Sequence, residues 1–228
     1  MIAQLKQGDP ALYGRVGEEV LFLRSHGIEA TIIPGISSAL AAPLFAQIPV
    51  TQRGAAESLI LCTGVGRSGR DVRLPGYERG RTLVVLMGIA RLKSIANALL
   101  EIPEDDKLGN VKPDRRSDQA YPSYIPAAII ERASMPDQRV IYSTLCDIVT
   151  ALESTGEQRP PGLLVVGWSV LSLWAEGDMT ILDEDTSYGD VTVRERDVRR
   201  VEKWLEGKKW RIQEGIESTW DMFDRQGK

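Results

Sequence analysis

The stretch Leu5-Lys6-Gln7-Gly8-Asp9-Pro10-Ala11-Leu12-Tyr13-Gly14-Arg15 decides how the rest of the chain is interpreted. A short apolar segment leads into Gly8-Asp9-Pro10, and a helical pattern follows. Gly8 has no Cβ, so a ligand can approach the backbone closely there, and the Asp9 carboxylate can accept hydrogen bonds from two vicinal hydroxyls. The Asp-Pro pair is also typical of an ordinary N-cap followed by proline at the first helical position. This stretch alone leaves ligand binding and capping equally open.

The composition predicts a globular protein with a sizeable core. The chain has 228 residues, of which 43% are hydrophobic, and a formal net charge of −4. The acidic balance argues against a nucleic-acid partner, and the absence of a long apolar run argues against a membrane-spanning segment. Cys62 and Cys146 form no CxxC pair and predict two buried thiols in a reduced, cytoplasmic compartment. His26 is the single histidine, so we expect it to cap a helix end and expect no multi-histidine metal site.

Apolar and amphipathic segments alternate along the chain in the way that is typical of an α/β fold. The segments that predict strands are 2–5, 29–33, 58–65, 82–87, 125–130, 140–143 and 163–167. The segments that predict helices are 14–26, 38–47, 91–100 and 145–153. We expect the strand at 163–167 to close the sheet.

Two further segments do not follow this alternation. The polar segment 103–124 has little periodicity and predicts an exposed insertion. Residues 193–226 alternate in charge and carry Trp204, Trp210 and Trp220. This pattern predicts a long amphipathic helix or a helix pair, docked by its aromatic side chains or used at a subunit contact.

Six motifs occur in a fixed order along the chain. They are GDP at 8–10, PGISSA at 34–39, QIPVTQRG at 47–54, VLMG at 85–88, IIERASMPDQRV at 129–140 and LLVVG at 163–167. The series resembles the tetrapyrrole methylase family, most closely its uroporphyrinogen-III C-methyltransferases, over about three quarters of the chain. PDQR after ERA is the most discriminating of these motifs within the family.

The resemblance implies a two-domain α/β architecture and a homodimer. We expect residues 1–54 to form the remnant of an N-terminal domain, 55–176 to form a C-terminal domain and 177–228 to form a helical extension. Family members normally begin with a strand and a GxGPGDP loop, whereas Met1 lies just ahead of a GDP loop here. The chain is therefore expected to be a truncated member, and we name no catalytic residues, because the residues assigned to proton transfer belong to that earlier segment.

The resemblance also implies S-adenosyl-L-methionine as methyl donor, with no metal. The residues that match the family's cofactor-lining motifs are Gln7, Gly8, Asp9, Leu12, Ser37, Ser38, Met87, Gly88 and Ala133. Ser37 and Ser38 would meet the carboxylate at a helix N-terminus, although plain N-capping explains them as well. Met87 would form an apolar wall, although it could simply be a core residue that ends a strand. Gln7 stands where the family usually has glycine.

The implied reaction is methylation of uroporphyrinogen III to precorrin-2 in sirohaem biosynthesis. An octacarboxylate substrate needs cations, and Arg53, Arg132 and Arg139 are candidates, although each could equally make a structural ion pair. Two alternatives stay open. The chain could bind the cofactor without turnover, or it could methylate a later corrin intermediate or a diphthamide precursor.

Overall fold

The computed structural model of the protein describes residues 3–102, 116–183 and 191–216. In these ranges the helices are α1 Val16–Ser25, α2 Ser38–Phe45, α3 Leu92–Leu100, α4 Ile148–Ser154 and α5 Val191–Trp204. The strands are β1 Ser58–Thr63, β2 Arg81–Leu86, β3 Pro126–Glu131, β4 Arg139–Thr144, β5 Gly162–Val166 and β6 Trp210–Glu214. The predicted α/β class is confirmed.

The described strands form one six-stranded mixed sheet in the order β1-β2-β5-β3-β4-β6. β1 and β2 are parallel, and β5 pairs antiparallel with both β2 and β3. It follows that β1, β2 and β3 run in the same direction. Their carboxyl ends meet at one side of the sheet, which we call the carboxyl edge and which comprises the loops after Thr63, Leu86 and Glu131. Ligands of open α/β sheets bind outside such an edge.

The hydrophobic core lies on the central strands and the helices that cover them. β2, β3 and β5 read as continuous apolar runs because the strands in the middle of the sheet are covered on both faces. α3 repeats apolar residues at helical spacing and buries Leu92, Ile95, Ala96 and Leu99. The predicted helix at 91–100 and the predicted strands from 58 onward are therefore confirmed, with ends that differ by one or two residues.

The strands predicted at 2–5 and 29–33 are wrong within the described residues, since residues 3–5 and 29–33 have no regular structure. β-branched residues favour a strand only where a neighbouring strand pairs with it, and no described segment pairs with these. Ile32 and Ile33 are exposed instead. The helix predicted between them is confirmed as α1, and His26 caps its end with Nδ1 2.9 Å from the Phe22 carbonyl oxygen.

The strand predicted to close the sheet, β5, lies at its centre instead. The helix predicted beyond residue 193 is confirmed as α5, but the segment after it forms β6, which pairs antiparallel with β4. Alternating charge therefore misled the interpretation of residues 210–214, where a strand with one exposed face also alternates. Trp204 is buried as expected, whereas Trp220 lies outside the described residues.

A buried ion pair attaches α5 to the rest of the fold. Asp197 is almost fully buried and accepts hydrogen bonds from Arg79 Nη1 at 2.6 Å and Nη2 at 2.9 Å. The Arg79 guanidinium also lies 5.1 Å from the centre of the Trp168 ring. These two contacts link residues more than 80 positions apart, so no local sequence pattern could have shown them.

Two further expectations are corrected in part. Residues 103–115 of the predicted insertion lie outside the described residues. Arg116 and Tyr121, in its second part, are buried rather than exposed, because the Ser117 and Tyr121 amides donate to the carbonyls of Leu74 and Leu99. Of the two thiols that were expected to be buried, Cys62 is half-buried and burial raises its pKa to about 11, but Cys146 is exposed.

Candidate functional site

The Asp9 carboxylate organises the turn that opens the described chain. Its Oδ1 accepts the amides of Ala11 at 2.9 Å and Leu12 at 3.0 Å, while Oδ2 accepts the amide of Gly35 at 3.1 Å. These bonds, the one from Gly35 most of all, hold the pKa of Asp9 below its usual range. Asp9 therefore caps a tight turn. The predicted helix N-cap at Asp9, with Pro10 at the first helical position, is wrong, since α1 begins only at Val16.

Two glycines bring this turn against the loop that precedes α2. A Cβ on Gly35 would lie 2.9 Å from the Gly8 carbonyl oxygen, and a Cβ on Gly8 would lie 3.2 Å from the Ile36 carbonyl oxygen. Gly8 also has a φ of +82°, which L side chains rarely adopt. The two motifs GDP and PGISSA are thus in direct backbone contact.

α2 starts at the end of that contact. Ser37 is its N-cap, with Oγ accepting the Ala39 amide at 3.2 Å, so capping is confirmed for Ser37. Ser38 is exposed in the first turn. Backbone amides at a helix N-terminus still favour an anion there.

Met87 follows β2 at the carboxyl edge and does not belong to the core. Its side chain is 52% exposed and its backbone has a φ of +54°, an unusual conformation for a residue with a Cβ. The core interpretation of Met87 is therefore wrong. The next residue, Gly88, packs against the loop after β1, since a Cβ on Gly64 would lie only 2.5 Å from the Gly88 Cα.

An open cleft of about 770 Å³ lies at this edge, between the start of α1 with the residues just before it on one side and the loops after β1 and β2 on the other. It is lined by Tyr13, Arg15, Glu18, Val65, Gly66, Arg67 and Met87. Of the nine residues predicted to line the cofactor, Met87 is the one on the wall of this cleft. Sequence reasoning missed Tyr13 and Arg67, although Tyr13 lies within the opening stretch 5–15 and Arg67 lies two residues after the strand predicted at 58–65.

The charge on the cleft wall is net positive. Arg15 pairs with Glu18. This pairing is the main cause of the lowered pKa of Glu18, and the positive charge of Arg67 lowers that pKa further. Arg67 therefore adds a second cation to a wall that holds one carboxylate. Such a surface suits an acidic ligand.

Ala133 lies after β3 at the same carboxyl edge, but farther along the sheet. Gly162, at the start of β5, packs between the loop after β2 and the end of β3, since a Cβ there would lie 3.2 Å from Ile89 Cγ1 and 3.3 Å from Glu131 Cγ. The loops that contain Gly88 and Ala133 thus flank the start of β5. Ala133 is half-buried against the core.

The arginines considered as substrate ligands have different surroundings. Arg139 is 2% exposed and pairs with Glu131, which is 1% exposed, through Nε at 2.7 Å and Nη2 at 2.6 Å. Arg139 is therefore structural. Arg132 donates to Asp137 at 2.8 Å in a more exposed pair, and Arg53 is exposed.

Within the described ranges, no group of three or more His, Cys, Asp or Glu side chains is arranged to hold a metal ion. The described helices include none that is long and apolar enough to cross a membrane.

Residues 1–149 match the family described as Tetrapyrrole (Corrin/Porphyrin) Methylases. The chain belongs to the tetrapyrrole methylase family. The predicted family and the resemblance on which it rested are confirmed.

Relatives within the family carry related names. The chain is 44% identical over 172 residues to the probable uroporphyrinogen-III C-methyltransferase of Schizosaccharomyces pombe, covering 75% of the chain and 31% of that protein. It is 38% identical over 169 residues to the uroporphyrinogen-III C-methyltransferase of Methanocaldococcus jannaschii, covering 73% of the chain and 63% of that protein. The chain thus spans about a third of the fungal tetrapyrrole methylase and less than two thirds of the archaeal one.

A solved tetrapyrrole methylase structure shares the fold. The uroporphyrin-III C-methyl transferase of Thermus thermophilus, complexed with S-adenyl homocysteine, superposes with a TM-score of 0.53 at 35% identity. The match covers 72% of this chain and 64% of that one.

Proposed function

We propose that this chain binds S-adenosylmethionine at the carboxyl edge of its sheet, with the cleft beside Met87 receiving one end of the ligand. The observation that carries the proposal is the exposed Met87 on the wall of a cleft at the carboxyl ends of parallel strands β1 and β2. The family and the S-adenyl homocysteine complex of the Thermus thermophilus protein support the choice of ligand.

The donors present along the edge fit such a ligand. The α2 N-terminus at Ser37 and Ser38 can receive a carboxylate, and Met87 offers a soft apolar surface to an adenine ring. The backbone at Gly8, Gly88 and Ala133 can bond to the polar rims of the ligand, with Gln7 and Leu12 beside the first of these. Asp9 already accepts three amides, so only its remaining lone pairs are left for a ribose hydroxyl.

We further propose the family reaction, methylation of uroporphyrinogen III to precorrin-2. The bound cofactor supplies an activated methyl group, and the chain supplies alignment, which carries much of the rate in such a transfer. Arg67 faces the cleft, where a guanidinium can bind one carboxylate of an acidic substrate in a bidentate manner. Tyr13 and Met87 line the same cleft.

Experiments distinguish two alternative functions from this one. The chain binds the cofactor without turnover if it titrates with the ligand yet releases no methylated product from reduced uroporphyrinogen III. It acts on a later corrin or a diphthamide precursor if those acceptors, and not uroporphyrinogen III, take up the labelled methyl group. The archaeal relative, which is named a uroporphyrinogen-III C-methyltransferase, is the positive control for the assay with uroporphyrinogen III.

We also propose that the chain forms a homodimer in the cytoplasm, with no metal, nucleic acid or membrane partner. α1 contains no buried residue, and its Leu21 and Phe22 are 64% and 65% exposed. Clustered apolar side chains on a surface helix are typical of a protein–protein contact. Sedimentation of the protein tests this: a single monomeric species at high micromolar concentration would contradict a dimer.

Titration calorimetry with S-adenosylhomocysteine, paired with thermal unfolding, tests the cofactor proposal. A ligand at 100 times its Kd stabilises the folded state by about 2.7 kcal/mol, which raises Tm by about 5–11 °C for a chain of this size. Met87→Glu should abolish both signals, and Met179→Glu, at an equally exposed methionine outside the cleft, should leave them unchanged. No heat and no shift at millimolar ligand would contradict the proposal.

A further inference from the structure

Ala133 lies in a loop whose backbone is held away from its relaxed conformation. The residues on either side of it, Arg132 and Ser134, have φ values of +50° and +69°. Neither is glycine, so each conformation costs free energy and persists only where surrounding contacts enforce it. Such strain is concentrated at ligand-binding segments in proteins generally.

Gln138 enforces this conformation from inside the fold. Its side chain is fully buried, and its Oε1 accepts the Ser134 amide at 2.9 Å. The backbone N–H of Gln138 donates to the Met135 carbonyl oxygen. The backbone carbonyl oxygen of Gln138 accepts the amide of Gly215, the residue that follows β6, at 2.7 Å. The side chain is therefore fixed at its base and can hold Ser134 in place.

The other end of the same side chain reaches α2. Gln138 Nε2 donates to the Phe45 carbonyl oxygen at 3.2 Å, at the last residue of that helix. Ser37, one of the predicted cofactor residues, is the N-cap of α2. One buried amide thus connects the helix that carries Ser37 to the loop that carries Ala133.

We infer that Gln138 is a positioning residue that fixes the Ala133 loop relative to α2 and so sets the width of the cofactor site. The inference rests on the proposed function. The role requires an acceptor at one end and a donor at the other, and the glutamine amide provides both on a side chain of this length. Gln138→Met removes both hydrogen bonds of this bridge, so the loop and the end of α2 are no longer held at a fixed separation and the loop, the helix or both should move.

A second side chain provides the matched control. Tyr142 Oη donates to the Ala46 carbonyl oxygen at 3.1 Å, one residue beyond α2. It holds the same end of the helix as Gln138 does, and its Oη also lies 3.2 Å from Gln213 Oε1 in β6. Tyr142→Phe therefore removes hydrogen bonding at the end of α2 and leaves both hydrogen bonds of the Gln138 side chain in place.

The test compares the Kd for S-adenosylhomocysteine and Tm of the full chain with those of Gln138→Met, Gln138→Glu and Tyr142→Phe. All three variants should lower Tm, but Gln138→Met should weaken binding about tenfold and Tyr142→Phe less than twofold. Gln138→Glu should bind weakly at pH 8, where its carboxylate cannot donate to Phe45. It should regain affinity toward pH 5.5, because burial raises the pKa of a carboxyl and the protonated form donates again.

A purely structural role for Gln138 would give a different pattern. Affinity that is unchanged in both Gln138 variants, or that falls equally in Tyr142→Phe, would overturn the inference while leaving the cofactor proposal intact. Absence of binding by the unmodified chain would instead overturn the cofactor proposal, and the inference with it. If Gln138→Met fails to fold, the pH dependence of Gln138→Glu decides alone, with the unmodified chain as its reference at each pH.

Discussion

Arg139→Met should destabilise the chain far more than the removal of any exposed arginine. Arg139 and Glu131 are both almost fully buried, and Arg139 also donates to the carbonyls of Thr155 at 3.2 Å and Glu157 at 2.8 Å. Removing one partner of a buried pair leaves an uncompensated charge, which costs about 3–5 kcal/mol. For a chain of this length each kcal/mol lowers Tm by about 2–4 °C, so we expect a loss of about 6–20 °C.

The assay is equilibrium unfolding in urea, with Arg159→Met as the control. Arg159 pairs with Glu214 on the surface, where both side chains are at least one-third exposed, and such pairs contribute about 0–1 kcal/mol. Glu131→Met combined with Arg139→Met should recover much of the loss, since an apolar pair leaves no buried charge. A loss in Arg139→Met no larger than that in Arg159→Met would refute the structural role of Arg139 and restore it as a substrate ligand.

Other substitutions test single contacts. Gly64→Ala should cost about 1–3 kcal/mol from overpacking against Gly88, whereas Gly17→Ala, with nothing within 4 Å of the new Cβ, should be neutral or stabilising in urea unfolding. Asp9→Asn keeps an acceptor for Ala11 and Leu12 but loses the bond to Gly35, so it should weaken S-adenosylhomocysteine binding less than Asp9→Ala does. Gly35, Ala11 and Leu12 lower the pKa of Asp9 from the usual aspartate value of 3.8. S-adenosylhomocysteine binding by the unmodified chain should therefore persist as the pH falls to 3.8 and be lost below that pH. Arg67→Gln should weaken binding of the octacarboxylate uroporphyrin III about tenfold, and Arg70→Gln should not, by fluorescence titration.

The sequence predicted those elements whose local pattern and tertiary surroundings agree. β2 and β5 are apolar runs that a buried strand requires, and the amphipathic repeat of α3 faces the sheet. Where the surroundings decide, the prediction failed. Residues 29–33 have the composition of a strand but pair with no described strand, and residues 210–214 look helical by charge but complete the edge beside β4.

The site was predicted by motif and corrected by geometry. Met87 was predicted to line the cofactor or to be a core residue that ends a strand, and the structure places it, exposed, directly after β2 at the carboxyl edge. The functions of Asp9 and Arg139 depended on partners 26 and 8 residues away, and Gln138 reaches Phe45, 93 positions earlier. Contacts between residues this far apart in the sequence leave no periodic pattern in it, so no local pattern could predict these partners.

The central claim is that S-adenosylmethionine binds beside Met87, and methyl NMR of methionine side chains tests it most directly. The protein is labelled at the methionine methyl groups, Met87 is assigned through Met87→Leu, and S-adenosylhomocysteine is titrated in. The account predicts a saturable shift of the Met87 signal with no change at Met179, which is similarly exposed but lies at Gly54 rather than in the cleft. Saturable binding that leaves Met87 unchanged, or no shift at millimolar ligand, would contradict it.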